Sequence, residues 1–554
     1  MAATPKGTAP CRVAAAQKRR IRWAFVPRNH VVRVVVSVTA AVAVAVALGL
    51  AVLEPAPSQP PEHGAANKAG RTAPAPGPPR TIVMVVFDEL PLTSLMGPGD
   101  RIDPSRYPAF AGLAANATWY RRATAVHDST ALAVPAILDG HYPRAGLRSD
   151  VYSHPANLFT LLERRYEVHA FEEATGLCPT SLCEPPAGTT ASHLAGGKPK
   201  RFHAFVRAVE RRPRPALWFK HVLLPHVPWQ FYPSGRRYRL HAPEPIPGAN
   251  GPLGFGVPWL VKVSYQRHLL QLGFADRLLG ELVGRLRRLG LYRDALVVVV
   301  ADHGIGFHAG VERRTVTPHN VEDLAPVPLL IKLPGQRRGR IEDRPVQTID
   351  ILPTLLELTR LHPPRALDGR SLLTPPASHA RRVTVFHRVG TELNTVGGDY
   401  TFDPDSLERR FRSAVDRKLA LFGSGGGRNP AALYRIGPHG ELVGRRAAAL
   451  PRLPGIAAAE INQAVDLANV DPDSGYVPGE ITGEIHAGVS GGGRPIAVVV
   501  NGRVAATGRT FSLEGSEVES FEAIVPETAF RRGRNEARVF EIVAQNGAVA
   551  LRPL

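Results

Sequence analysis

The sequence predicts an α/β fold: a mostly parallel sheet flanked by helices, preceded by a transmembrane helix and followed by a β-rich module. Three observations carry that expectation. Two runs of β-branched residues, Thr81–Phe87 and Leu296–Ala301, have the uniform apolar character of strands buried on both faces. Such runs alternate with stretches of helical spacing from Thr81 to Arg360, the pattern of βαβ units. An uncharged apolar run, Val34–Leu53, precedes them all.

In chain order, residues 1–33 carry eight Lys and Arg and no acid. At about 1.5 Å per residue, Val34–Leu53 just spans a hydrocarbon core of about 30 Å. The basic flank puts the N-terminus in the cytoplasm and the rest of the chain outside the cell membrane, as a single-pass protein. A cleaved signal peptide is the alternative, though the run exceeds the usual apolar region of about 7–15 residues. Residues 54–80, rich in Pro, Ala and Gly, read as a tether.

Residues 81–396 then form the α/β domain. Its expected strands are Thr81–Phe87, Ala216–Leu224, Leu296–Ala301 and Val327–Leu333. Its expected helices are Tyr107–Ala117, Asn157–Arg165, Lys262–Leu289 and Ile349–Arg360. The long one places Leu269, Leu272, Leu279, Leu282 and Leu286 at helical spacing. Over residues 397–554 the apolar runs shorten and glycine clusters appear. Ile496–Val500 and Arg503–Ala506 flank Asn501-Gly502, a hairpin signal, and Ser520–Val525 and Glu536–Val543 read as further strands. Nothing in this β-rich module looks catalytic.

The formal charge is +20 and the pI about 10.4. Part of that excess belongs to the N-terminal segment. The rest is Arg scattered without a zinc-finger, helix-turn-helix or aromatic-basic signature, which argues against a nucleic-acid partner. A basic outer surface suits anionic lipids or phosphate polymers beside a membrane. Cys178 and Cys183 are close enough for a local disulfide in an oxidising compartment, two unrelated thiols being the alternative.

Both buried strands end in acid, at Asp88-Glu89 and at Asp302-His303-Gly304. Ligands of open α/β sheets collect at the carboxyl ends of strands. Carboxylates from two neighbouring strands, with an imidazole, are what a bridging divalent cation needs. Alone, an Asp-His pair reads equally as a strand cap with a surface His. In Ala125–Pro143, Ser129 and Thr130 stand before an Ala/Val/Leu helix. Unsatisfied N–H groups and the helix dipole there favour an anion and ease loss of a hydroxyl proton, although an ordinary N-cap looks the same.

Taken in order, these segments resemble the sulfatase family, within the alkaline-phosphatase-like superfamily. They are Asp88 after the first strand, the hydroxyl before Pro135-Ala-Ile-Leu-Asp-Gly140, Leu224-Pro-His226-Val-Pro-Trp229, Ala301-Asp-His-Gly304, Val327–Gly335 and Thr348–Leu356. The resemblance covers about residues 80–375, and the N-terminal anchor is similar to that of lipoteichoic acid synthases and phosphoethanolamine transferases. It implies one divalent cation (Mn²⁺, Mg²⁺, Zn²⁺ or Ca²⁺) held by Asp88, Thr130, Asp302 and His303. It implies Thr130 rather than Ser129 as nucleophile, and His226 as a group that contacts the substrate anion or its leaving group. Lys220, His221 and His319 are implied companions. Sulfatases proper carry Cys/Ser-x-Pro-x-Arg, whose first residue becomes formylglycine; here Thr130, Leu132 and Val134 stand there. The expectation is therefore an outward-facing metal-dependent hydrolase or transferase of phosphate esters, acting on a phospholipid head group or an envelope glycopolymer. The alternatives are sulfate-ester hydrolysis by an atypical route, and an inactive scaffold that binds envelope glycans.

Overall fold

In a computed structural model, the described residues are 77–184, 188–240, 256–374, 382–390, 392, 394–423, 430–455, 457–486, 493–513, 518–545 and 548–554. The expected span Val34–Leu53 and most of its flanks lie outside them. Among the described residues, no helix is long and apolar enough to cross a membrane.

The first sheet contains β1 (Thr81–Asp88), β2 (Thr118–Tyr120), β3 (Glu167–Phe171), β4 (Ala216–Pro225), β5 (Leu296–Ala301), β6 (Leu329–Lys332) and β7 (Arg340–Glu342). Its order is β7-β2-β6-β5-β1-β4-β3. β1 lies at the centre of the hydrophobic layers, parallel to both β4 and β5. Alternation explains its unbroken apolar run. Val83, Val85 and Phe87 enter one core, while Ile82, Met84 and Val86 enter the other.

Helix α1 (Pro108–Ala114), α4 (Lys198–Ala208) and α5 (Pro258–Arg288) cover the first face. There Leu272, Leu279, Leu282 and Leu286 of α5 are fully buried, as their spacing predicts. Helix α2 (Thr130–Asp139), α3 (Leu158–Leu162) and α6 (Ile351–Thr359) cover the second face.

β6 departs from a parallel sheet, running antiparallel to both β5 and β2. A parallel return needs a crossover of a dozen or more residues, usually a helix. The connection from β5 to β6 holds only the short helical turn Val321–Leu324 and is otherwise irregular. The sheet is therefore mixed.

Strands β8 (Val383–His387) and β9 (Gly398–Phe402) pair with each other across residue 396, where the sequence suggested a boundary. Helix α7 (Pro404–Phe422) then sends Phe411 and Val415 into the first core, and Arg106 donates to the Phe422 carbonyl. The amphipathic α7 thus belongs with the first sheet. The second sheet is antiparallel and contains β10 (Ala458–Ile461), β11 (Glu480–His486), β12 (Pro495–Val500), β13 (Arg503–Phe511), β14 (Glu519–Ile524), β15 (Ala537–Gln545) and β16 (Ala548–Pro553). Its order is β10-β11-β14-β13-β12-β15-β16. Asn501 (φ 47°) and Gly502 (φ 77°) turn the β12–β13 hairpin with the positive φ values that Asn-Gly supplies. Trp259, at the start of α5, donates from its indole nitrogen to the Glu522 carbonyl at 3.0 Å, and the two regions share one core.

Candidate active site

Parallel register brings the two acid-ended strands together. Phe87 is level with Ala301, so Asp88 and Asp302 emerge side by side at the carboxyl edge. On the other flank of β1, Val86 is level with His221 of β4. Asp88, His221, Asp302 and His303 are all buried. One ligand atom each from Asp88, His221 and Asp302 lie within 4.8 Å of one another. His303 Nε2 is 3.9 Å from Asp88 Oδ1 and 3.7 Å from Asp302 Oδ2. Gly304 is dictated by close approach: a Cβ there would meet the Asp323 carbonyl oxygen at 2.1 Å.

Thr130 joins this group from α2. Ser129 is the N-cap, in extended conformation, and Thr130 is the first helical residue. Its Oγ1 donates to Asp88 Oδ1 at 3.2 Å and lies 3.2 Å from His303 Nε2. Inside the helix, Pro135 has no N–H for the Ala131 carbonyl. The Ser149 hydroxyl donates to that carbonyl at 2.7 Å instead. The polar turn is fixed as well. Asp128 accepts from the backbone N–H of Val316 and of Arg388, and His127 Nδ1 accepts from the Ser129 N–H.

The electrostatics are those of two carboxyls buried side by side. Burial, then the charge of Asp302, raises the Asp88 carboxyl well above the usual range. Asp302 is pushed up to about 7 by burial, against the N–H donors of Glu89 and His303 and the Thr130 hydroxyl. Burial holds His221 down at about 3 and lowers His303 too. His303 Nδ1 faces the Gly304 carbonyl at 2.9 Å. A carbonyl only accepts, so Nδ1 carries the proton and the Nε2 lone pair points at the carboxylates. Asp302 Oδ2 and both ring nitrogens of His221 have no hydrogen-bond partner among the described residues. Orphaned oxygen and imidazole donors around one point fit a divalent cation, which would lower both carboxyl pKa values and polarise a hydroxyl or ester oxygen.

His226 follows β4. Its Nδ1 faces the Val227 carbonyl at 2.6 Å, and burial lowers the imidazole to about 3. The neutral ring therefore presents Nε2 as an acceptor, and becomes a donor only once protonated. Lys198 Nζ donates to the His226 and Val227 carbonyls at 2.8 Å, and Gln271 donates to the Pro225 and His226 carbonyls.

Of the companions suggested by sequence, His221 joins the cluster. Lys220 does not: it is ion-paired with Glu173 on a buried network that includes Arg201. His319 is exposed, in a turn where its N–H meets Thr317 Oγ1. Two neighbours, Glu89 and Arg314, were given no role by the sequence. Glu89, at φ 61°, is fully buried and faces Arg314, whose Nε lies 2.9 Å away. Burial alone would raise the Glu89 carboxyl, but the nearby cations, Arg314 foremost, carry it well below the usual range. The Asp-Glu pair was visible as a motif. Arg314 sits in an irregular loop that no periodicity marks.

A family model described as Sulfatase matches residues 80–361. The "Multifunctional alkaline phosphatase superfamily protein PehA" of Trinickia caryophylli is 38% identical over 102 residues, 18% of this chain and 19% of that protein. "Arylsulfatase K" of Bos taurus is 35% identical over 99 residues, 18% of each chain. The matches thus span about a fifth of these relatives' own length. Among solved structures, "Phosphonate Monoester Hydrolase of Agrobacterium radiobacter" aligns at 15% identity and a TM-score of 0.43, over 64% of this chain and 95% of that one.

Proposed function

The chain belongs to the sulfatase family of enzymes, and we propose that it is a metal-dependent hydrolase or transferase of phosphate esters, with Thr130 as nucleophile. One observation carries this reading. A half-buried hydroxyl at a helix N-terminus lies 3.2 Å from an aspartate and from an imidazole, beside a second aspartate whose Oδ2 has no hydrogen-bond partner among the described residues. One divalent cation would be held by Asp88, Asp302, His303 and Thr130, with His221 completing the donor set. The cation supplies charge neutralisation for the hydroxyl and the transferred group. Asp88 Oδ1, which already accepts the Thr130 hydrogen bond, is the base nearest that proton. The Thr130 oxygen then bonds to phosphorus as the ester C–O–P oxygen departs with its electron pair. His226, once protonated beside the bound anion, gives that proton to the leaving oxygen. Water or another alcohol, passing a proton to the now neutral ring, then attacks phosphorus, and the Thr130 oxygen departs and takes back the proton held by Asp88. Lys198 and Gln271 hold the His226 loop in place.

Thr cannot be converted to formylglycine, which favours phosphoryl over sulfuryl transfer. The sulfate reading keeps weight because relatives such as the Bos taurus protein are named arylsulfatases. A single-pass anchor at Val34–Leu53, with the folded region outside the cell, puts envelope anions within reach; the Cys178–Cys183 disulfide is in keeping with that compartment. The substrate class is a phospholipid head group or an anionic envelope glycopolymer.

The test is hydrolysis of nitrophenyl phosphodiester, phosphomonoester and sulfate by residues 74–554, a compact unit of their own, with Mn²⁺ added. Phosphoester cleavage that disappears in Thr130→Ala is the expected result. Sulfate cleavage alone would favour the second reading. Silence on all three, with no bound metal, would leave a glycan-binding scaffold.

A further inference from the structure

The opposite edge of the first sheet, where its parallel strands begin, carries charge that the active site does not use. Arg207 ends α4, Arg211 and Arg214 lie in the loop before β4, and Arg287 and Arg288 end α5. All five are exposed, and none makes a salt bridge among the described residues. They share one surface. Arg285 donates to the carbonyls of Val209 and Arg207, and the Arg211 guanidinium lies against Gly290. The acids nearby are engaged elsewhere: Glu167 and Glu210 pair with Arg212, and Asp294 with Arg293. The carboxyl ends of α4 and α5 account for some of this charge through their dipoles. They do not account for Arg211 and Arg214.

The chain enters the fold on this same surface. Arg80 donates to the Pro213 carbonyl at 2.5 Å and accepts from the Ala216 N–H at 2.9 Å. We propose that this arginine face docks on anionic phospholipid head groups. The proposal rests on the membrane-anchored reading for its geometry. Residues 54–80, even fully extended, reach on the order of 100 Å. A tether of that length keeps the basic face at high effective concentration over the bilayer, so weak contacts suffice. The aromatic ring beside these arginines, Tyr292, is half-buried and already covered by the Arg287 guanidinium, 4.9 Å from its centroid, and by the Lys332 ammonium, so it is not free to stack on a base, which disfavours a nucleic acid.

The consequence concerns the substrate. β1 runs from this face to Asp88 over eight residues, about 26 Å at strand rise. A domain seated on its arginines therefore holds Thr130 away from the head groups beneath it. Its ester belongs to an extended envelope polymer and not to the lipid on which it sits.

The experiment is co-sedimentation of residues 74–554 with vesicles of phosphatidylcholine, with and without a third of phosphatidylglycerol. The expected result is binding only to the anionic vesicles, abolished at 0.5 M salt, with each Arg→Gln weakening it about fivefold. The fivefold-substituted variant, Arg207, Arg211, Arg214, Arg287 and Arg288 each to Gln, loses binding and keeps nitrophenyl ester hydrolysis. Equal binding by that variant, no binding at low salt, or tighter binding to single-stranded RNA would overturn the proposal. Release of head-group phosphate from the same vesicles would overturn the orientation. Loss of the anchor reading is scored separately, by recovery of the full-length chain from the soluble fraction, because this fragment lacks the anchor.

Discussion

The two sheets bury charge in opposite ways. In the second, Arg267 reaches from α5 to ion-pair with Glu480 and Glu522, Arg239 also meets Glu480, and Arg494 meets Glu519. Each buried carboxylate there has a guanidinium of its own. At the carboxyl edge of the first sheet, Asp88 and Asp302 lie together among neutral imidazoles and a hydroxyl, and the nearest guanidinium, Arg314, is paired with Glu89 and not with either of them. A paired cluster is finished structure. An unpaired one is a standing electrostatic cost that a ligand repays, which is why buried ionisable groups without partners mark functional sites.

The contrast can be broken or sharpened experimentally. Thr130→Ala should reduce phosphoester turnover on the order of a thousandfold or more while leaving thermal stability nearly intact; a variant retaining a tenth of the activity would remove Thr130 from the chemistry. Arg267→Met should do the reverse. By stranding Glu522, while Glu480 keeps Arg239, it costs about 3–5 kcal/mol of stability, read by denaturant titration, with metal content unchanged. Chelation should destabilise only the first region. Mn²⁺ at a hundredfold over its Kd restores about 2.7 kcal/mol, and Asp302→Asn loses that response.

Acid offers a milder probe. His226 and His268, the latter buried on α5 beside Trp229 and Phe307, are held at about 3 by burial, against about 6.5 unfolded. Because the folded state binds those protons more weakly, their contribution is present above pH 6.5 and is lost as pH falls towards 3. Denaturant titrations between pH 7 and 4 should show that decline, and His268→Phe should flatten it. An unchanged slope would mean that His268 is solvated. Smallest is Ser149→Ala, which leaves the Ala131 carbonyl beside Pro135 unpaired and costs about 1 kcal/mol.

Much of the architecture was legible because burial imposes composition. The β-branched runs of β1 and β5, the Leu spacing of α5 and the Asn-Gly hairpin all appear where the pattern put them. Two features were not legible. The antiparallel course of β6 depends on what its connection omits, and α7 carries an amphipathic pattern that does not say which core it joins. At the site, strand-end acids and a helix-initial hydroxyl can be read from sequence, because each follows a strong periodic signal. His221, deep in an apolar strand, and Arg314, in an irregular loop, become neighbours of the pair only through register and loop path.

Metal analysis of the purified full-length protein after dialysis, beside Asp88→Asn and Asp302→Asn, asks whether Asp88, Asp302, His303 and Thr130 surround one divalent cation. The expected result is one equivalent of a divalent metal in the parent chain and almost none in either variant. Full retention of metal by both variants, or a parent chain that binds none even when Mn²⁺ is supplied, would contradict it.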